Sequence, residues 1–263
     1  MRRMASGEST APAGTSTAPA GSIRIEPGAK RVRIFVGGVA IADTLRPLYV
    51  WETPFYPAYY VPVDDVRTEL LEETTTVTRS PSRGDAVHFT VRVGSEARPD
   101  AAWQYRDSTI EQLRDHLRFD WDAMDAWFEE DEEVFTHARN PYTRVDILPT
   151  SRRVRVEMHG VVLADSPRAL VLFETGLAPR WYVPKVDVHM ELLVPTDHET
   201  RCPYKGKAAY WSARVGDALE ENVAWSYPTP LPECERIAGH VAFFDERVDV
   251  FVDGIRQERP ARR

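Results

Sequence analysis

The feature that most constrains this chain is a repeat. Glu52, the run Tyr59-Tyr60-Val61-Pro62, the pair Asp65-Val66 and the run Glu69-Leu70-Leu71 recur as Glu174, Trp181-Tyr182-Val183-Pro184, Asp187-Val188 and Glu191-Leu192-Leu193. The spacing inside the two segments is identical. The same offset of about 122 positions carries Arg31–Asp43 into Arg153–Asp165 and Arg46 into Arg168. It carries Ser80-Pro-Ser-Arg83-Gly84 into Cys202-Pro-Tyr-Lys205-Gly206, and Ala102-Trp103-Gln-Tyr105 into Ala224-Trp225-Ser-Tyr227. Shared composition cannot hold one offset over so long a stretch, so the chain is an internal duplication with two domains of one kind.

Each copy reads as short strands. From Arg31 apolar and polar residues alternate with period two and break at Gly37-Gly38, which predicts a strand, a tight turn and a second strand. Leu48–Trp51 and Leu170–Phe173 are apolar runs suited to buried strands, and 86–93 and 208–215 run into Gly94 and Gly216. The proline after each Tyr-Val predicts a single helical turn. Thr109-Ile-Glu-Gln112 has the form of a capping box, which predicts a helix over Leu113–Leu117. His240–Gly254 reads as a hairpin. The expectation is a mainly β protein with two tandem small β-rich domains and few short helices: a disordered Ala/Ser/Thr/Pro/Gly tail over 1–22, a first domain over 23–136, a connector over 137–150 and a second domain over 151–258. The connector is polar and aromatic, without the Gly/Ser of a slack linker, and is expected to lie against both domains.

Composition excludes some functions. A net charge of −8, with the acidic run Glu129-Glu-Asp-Glu-Glu133 and scattered arginines, argues against a nucleic-acid surface, which needs a clustered basic field. Two cysteines are too few for a disulfide framework or an all-cysteine zinc site. No window approaches the ~20 apolar residues of a membrane span, and the first residues lack the apolar core of a signal peptide. These features point to a cytoplasmic protein with no membrane partner. The acidic run reads as a solvated face softened by Arg139 and Arg144, or as a docking site for a protein partner.

As a set, Gly160-Val-Val-Leu-Ala-Asp165, Tyr182-Val-Pro-Lys-Val-Asp187-Val188, Cys202-Pro-Tyr-Lys-Gly-Lys-Ala-Ala-Tyr-Trp211, Asn222-Val-Ala-Trp-Ser-Tyr227 and Gly239-His-Val-Ala-Phe-Phe244 resemble the family catalogued as domain of unknown function 427. The resemblance covers the second copy almost completely, and the first with a weaker middle. It implies a small domain similar to the β-tent folds of zinc-dependent chaperone-like and sulfoxide-reductase-like proteins. Those relatives often hold zinc through paired Cys-X-X-Cys, which this chain lacks, so any shared site has to work without that metal. The family has also carried a nucleotidyltransferase label. That chemistry wants a Gly-Gly or Gly-Ser turn followed closely by an Asp-X-Asp pair for magnesium; Asp64-Asp65 follows Gly37-Gly38 far too late.

Polar and aromatic residues kept in both copies are the candidate site: Glu52 and Glu174, Tyr60 and Tyr182, Asp65 and Asp187, Trp103 and Trp225, Tyr105 and Tyr227, with a basic residue kept at Arg83 and Lys205. Glu174 follows a buried-looking strand, where desolvation suits a carboxylate to acid–base work; the alternative is a structural carboxylate paired with Arg168. Asp187 can hold a ligand group or cap its own turn. Cys202 beside Lys205 is a candidate nucleophile or an inert buried thiol, with Ser80 in its place in the first copy. The aromatics either fill a core or line a cleft for a flat or hydrophobic small molecule. Ser82, Asp85, His88 and Phe89 replace Tyr204, Lys207, Tyr210 and Trp211 in the first copy, so a single working pocket is expected in the second domain. The sequence leaves the cofactor unspecified, and leaves open whether such a pocket is catalytic or the chain is a non-catalytic interaction module.

Overall fold

The computed structural model describes residues 23–260, and the expected tail over 1–22 lies outside them. Among these residues the chain is mainly β, with six short 3-10 turns, and no helix is long and apolar enough to cross a membrane. Each copy pairs a seven-stranded antiparallel sheet with a four-stranded one. In the second copy the large sheet runs, edge to edge, through Val145–Pro149, Leu170–Glu174, Arg180–Pro184, His240–Phe243, Ala218–Ser226, Gly206–Val215 and Leu193–Cys202. The first copy has the same order, from Arg24–Pro27 through Leu48–Trp51, Ala58–Pro62 and His116–Phe119 to Leu71–Ser80.

The duplication holds at the level of single contacts. Tyr60 stands opposite Leu48, as Tyr182 does opposite Leu170; Trp103 faces His88, as Trp225 faces Tyr210. Thr74 donates to Asp100 at 2.6 Å and Thr196 to Asn222 at 2.7 Å. Arg31 binds Asp43 as Arg153 binds Asp165.

The large sheet is covered on both faces, which explains the unbroken apolar runs of its central strands. Because side chains alternate, Val183, Val241 and Phe243 face the small sheet and join Val154, Val156 and Val250 in one core. Tyr182, Ala242, Trp225 and Tyr227 point the other way and gather with Leu172, Tyr210, Cys234 and Ile237 in a second cluster. The candidate aromatics therefore share the face that the small sheet does not cover.

Several expectations are corrected. His240–Gly254 is not a hairpin: His240–Phe243 pairs within the large sheet and Asp249–Val252 within the small one. The segment Leu113–Leu117 is not a helix: a single 3-10 turn over Glu111–Leu113 leads into the strand His116–Phe119. That strand pairs on both sides, with Ala58–Pro62 and with Glu96–Gln104, and buries Leu117 and Phe119. Two ladders plus burial outweigh a local capping preference. No side chain caps this turn; Ser108 Oγ accepts the Ile110 N–H at 3.1 Å in a local turn before it. Val145–Pro149, inside the expected connector, is the first strand of the second large sheet. Of the acidic run, Glu129 is not solvated; it is 3% exposed and accepts the Tyr59 hydroxyl at 2.5 Å and Lys30 at 2.6 Å. Arg144 pairs with Asp146 instead of the run. The rest of the connector does touch both copies: the backbone N–H of Asn140 donates to the Tyr204 hydroxyl at 2.8 Å, and its side-chain amide donates to Phe55 O at 2.9 Å.

The single turns after Pro62 and Pro184 are present, as 3-10 turns over Val63–Asp65 and Lys185–Asp187. Neither aspartate caps its own turn. Asp187 accepts from Ser166 at 2.7 Å and from Arg168 at 2.9 and 3.0 Å; Asp65 accepts from Thr44 at 2.7 Å and Arg46 at 3.1 Å. Each ties the turn to the corner between two earlier strands. Arg168, by its hydrogen bonds, holds the Asp187 carboxyl below the usual carboxylate range. A lowered folded-state value means stability that is present above the unfolded value of ~3.9 and lost as pH falls through the folded one. Asp187→Ala should therefore cost about 1–2 kcal/mol at neutral pH and less in acid, read by urea melts at both conditions; equal cost at the two would contradict the assignment.

Candidate binding site

On the outer face of the second large sheet lies a cavity of about 550 Å³. The strand Leu170–Glu174 ends at its polar end, and the turn before Gly206 brings Lys205 across to it. Gly206 has φ +97°, and a Cβ there would sit 3.3 Å from Thr229 O, so only glycine lets the turn close this tightly. Lys205 Nζ lies 2.5 Å from Glu174 Oε2, with both side chains 10% exposed. Burial pulls the Lys205 pKa down, but the charges of Cys202 and Glu174 outweigh it and hold it above the ordinary lysine value. Glu174 thus takes Lys205, not Arg168, which is engaged by Asp187.

Aromatic rings make the walls. Trp225 meets Tyr182 edge-on at 6.5 Å and Phe244 at 4.5 Å, and Phe244 stacks on Tyr210 at 6.4 Å. Burial pushes the Tyr182 phenol up to about 12 and drives Tyr227 up as well. Both hydroxyls are therefore protonated at neutral pH and can serve as hydrogen-bonding groups, not as bases. Arg180 also lines the cavity; its guanidinium lies 5.5 Å from the Trp225 ring centre and pairs with Glu246 at 2.9 Å and Asp245 at 3.4 Å.

Glu174, Tyr182, Lys205, Trp225 and Tyr227 all line this cavity. Asp187 and Cys202 do not. Asp187 is held at the strand corner described above; Cys202 closes the strand Leu193–Cys202 opposite Gly206 and packs behind the cavity against the aromatic cluster. Cys234, fully buried, donates its thiol to Tyr204 O at 3.3 Å, and burial pushes its pKa up to about 11. His198 packs edge-on against Tyr210. Among the described residues no group of three His, Cys, Asp or Glu side chains is placed to hold a metal ion.

In the first domain the same residues are brought together but joined to one another. Tyr60 donates to Glu52 at 2.6 Å, Arg83 donates to the Tyr105 hydroxyl at 3.1 Å and lies 3.7 Å from Glu52, and Arg118 reaches Glu52 at 3.4 Å. The Arg118 guanidinium lies 4.8 Å from the Trp103 ring centre. Asp65 is away from this group, on Thr44 and Arg46.

Comparing the copies for kept residues misses Arg180, Phe244 and Glu246, since their counterparts differ; Ala58 stands where Arg180 does. The family described as domain of unknown function (DUF427) matches residues 24–130 and again 146–254. The chain belongs to the DUF427 family. A search of curated proteins returns no match. Both DUF427 units keep the Glu–cation–Tyr–Trp group; in the second, all four kinds of residue line the cavity of about 550 Å³, whereas in the first Glu52 and Arg118 border a smaller one of about 210 Å³ whose lining does not include Tyr60, Trp103 or Tyr105. In the first unit Gly37 and Gly38 form a hairpin turn in which the Gly37 N–H donates to Asp125 at 2.6 Å.

Asp245 provides a pH test. Burial raises its carboxyl to about 6 despite the pull of Arg180. A folded-state value above the unfolded ~3.9 means that its contribution to stability is full below ~3.9 and is lost as pH rises through about 6. Asp245→Asn should flatten the stability profile over that interval in chemical denaturation; an unchanged slope would show that Asp245 does not set it.

Proposed function

We propose that the second domain binds a small, planar, largely apolar molecule in this cavity, and that the first domain buttresses it. The observation that carries the reading is convergence: four residues kept through the duplication, with the retained basic residue Lys205, line one hollow of about 550 Å³. That volume is in the range of small-molecule sites, ~300–1,000 Å³, and aromatic walls with a few polar groups are their usual composition. Trp225, Phe244 and Tyr210 offer faces to stack on, while the Glu174–Lys205 pair and the Tyr227 hydroxyl fix a polar edge.

Binding is favoured over acid–base catalysis because the cavity tyrosines are held protonated and the Glu174 charge is already met by Lys205. Two free cysteines and an acidic balance fit a reducing, cytoplasmic setting.

Ala178 is an exposed residue at the cavity rim, so Ala178→Trp should block the mouth without disturbing the core. In a thermal-shift and NMR screen of planar aromatic fragments, a ligand at about a hundredfold excess over Kd should add about 2.7 kcal/mol to wild-type stability. The variant should lose that gain. Hits that ignore the variant, or a blank screen, would remove the binding reading.

A further inference from the structure

The two domains differ by an exchange across neighbouring strands. In the first, Arg118 stands directly opposite Tyr60 and Trp103, and Ala58 lies two residues before Tyr60. In the second, Ala242 stands opposite Tyr182 and Trp225, and Arg180 lies two residues before Tyr182. Residues two apart on a strand share a face, so both arginines reach the same outer face from adjacent strands. Each guanidinium lies over the kept tryptophan, and each donates to the carbonyl of the matching phenylalanine, Arg118 to Phe119 and Arg180 to Phe243.

Their other partners differ. Arg118 crosses to Glu52, whose two carboxylate oxygens are then both engaged, by Tyr60 and by Arg118. Arg180 turns instead to Glu246 and Asp245. Glu174 is left with Lys205 on Oε2, and among the described residues Oε1 has no partner. The cations lining the cavity are each matched by an acid: Lys205 by Glu174, Arg180 by Glu246, and Arg247 by Glu220 at 3.5 Å. The charges are balanced, and the atom left without a partner is an acceptor.

We propose that the ligand of the second domain carries a planar head group with N–H donors, an amide, amidine or amino-heterocycle, which lies by Trp225 and donates to Glu174 Oε1. In the first domain Arg118 is the built-in occupant of that place, and the cavity it borders with Glu52 is the smaller one, about 210 Å³ against about 550 Å³. The inference rests on the binding reading and adds the ligand class. An acceptor-only head group would leave Oε1 desolvated and unpaired, at a cost that weakens binding about tenfold or more.

The test is a set of three probes with one ring and different heads, titrated into the full chain by NMR: benzamide, benzamidine and benzoate. The first two should bind about tenfold or more tightly than benzoate. Ala242→Arg, which copies the first domain, should abolish binding, and Arg118→Ala should add a second equivalent. Benzoate binding as tightly as benzamide would overturn the ligand class while leaving a small-molecule site in place. Failure of all three probes would also overturn it, and the fragment screen then decides whether the site itself stands. Should neither variant fold, the comparison of probes on the wild-type chain still separates support from refutation.

Discussion

Burial of one sheet on both faces is the constraint that the rest of each domain obeys. The four-stranded sheet covers one side of the seven-stranded sheet and closes a conventional aliphatic core around Val154, Val156, Val183 and Val241. On the other side there is no second sheet among the described residues. That face is closed by large aromatics, by a 3-10 turn carrying Cys234 and Ile237, and by the ion pair at the end of the strand Leu170–Glu174. Ring pairs on this face meet edge-on or tilted, in the geometries aromatic pairs prefer. The cavity lies among these rings, with Arg180, Lys205 and Arg247 on its lining.

The ion pair holds that face together. A carboxylate and an ammonium shielded from solvent are costly unless they meet each other, and the Lys205 turn, closed by Gly206, delivers one to the other. The first domain solves the same problem with more partners: Glu52 meets Tyr60, Arg83 and Arg118. Where Arg118 is present both carboxylate oxygens are engaged, by Tyr60 and by Arg118; where Ala242 stands in its place the carboxylate meets Lys205 through one oxygen. The two halves keep the same register and the same carboxylate, and differ in how many groups it serves.

Much of this is legible in the residues. The constant offset implies two domains of one architecture, and the kept pairs pick out Glu174, Tyr182, Trp225 and Tyr227, which meet at one hollow. Asp65 and Asp187 are kept for a different reason: they anchor a turn to a strand corner through Thr44 and Ser166. Retention through a duplication does not separate a site residue from a structural one, because both kinds are constrained. Arg180 escapes such a comparison for the complementary reason. Its counterpart is Ala58, and the guanidinium that matches it in space comes from Arg118 on the next strand.

From the linear chain alone follow the β periodicity, the doubling, the turns at Gly84 and Gly206, and which aromatics share a strand face, since all of these depend on spacing within a few residues or on one repeat length. Tertiary structure decided that Leu113–Leu117 enters a sheet and does not form a helix, that Glu129 is buried beneath Tyr59, and that Glu174 pairs with Lys205 and not with Arg168. Those outcomes depend on strand neighbours far apart in sequence. Local propensity is worth a few tenths of a kcal/mol per residue, and a strand paired on both sides and buried outweighs it; the partner of a shielded carboxylate is set by which cation the fold delivers, since leaving it unpaired is costly.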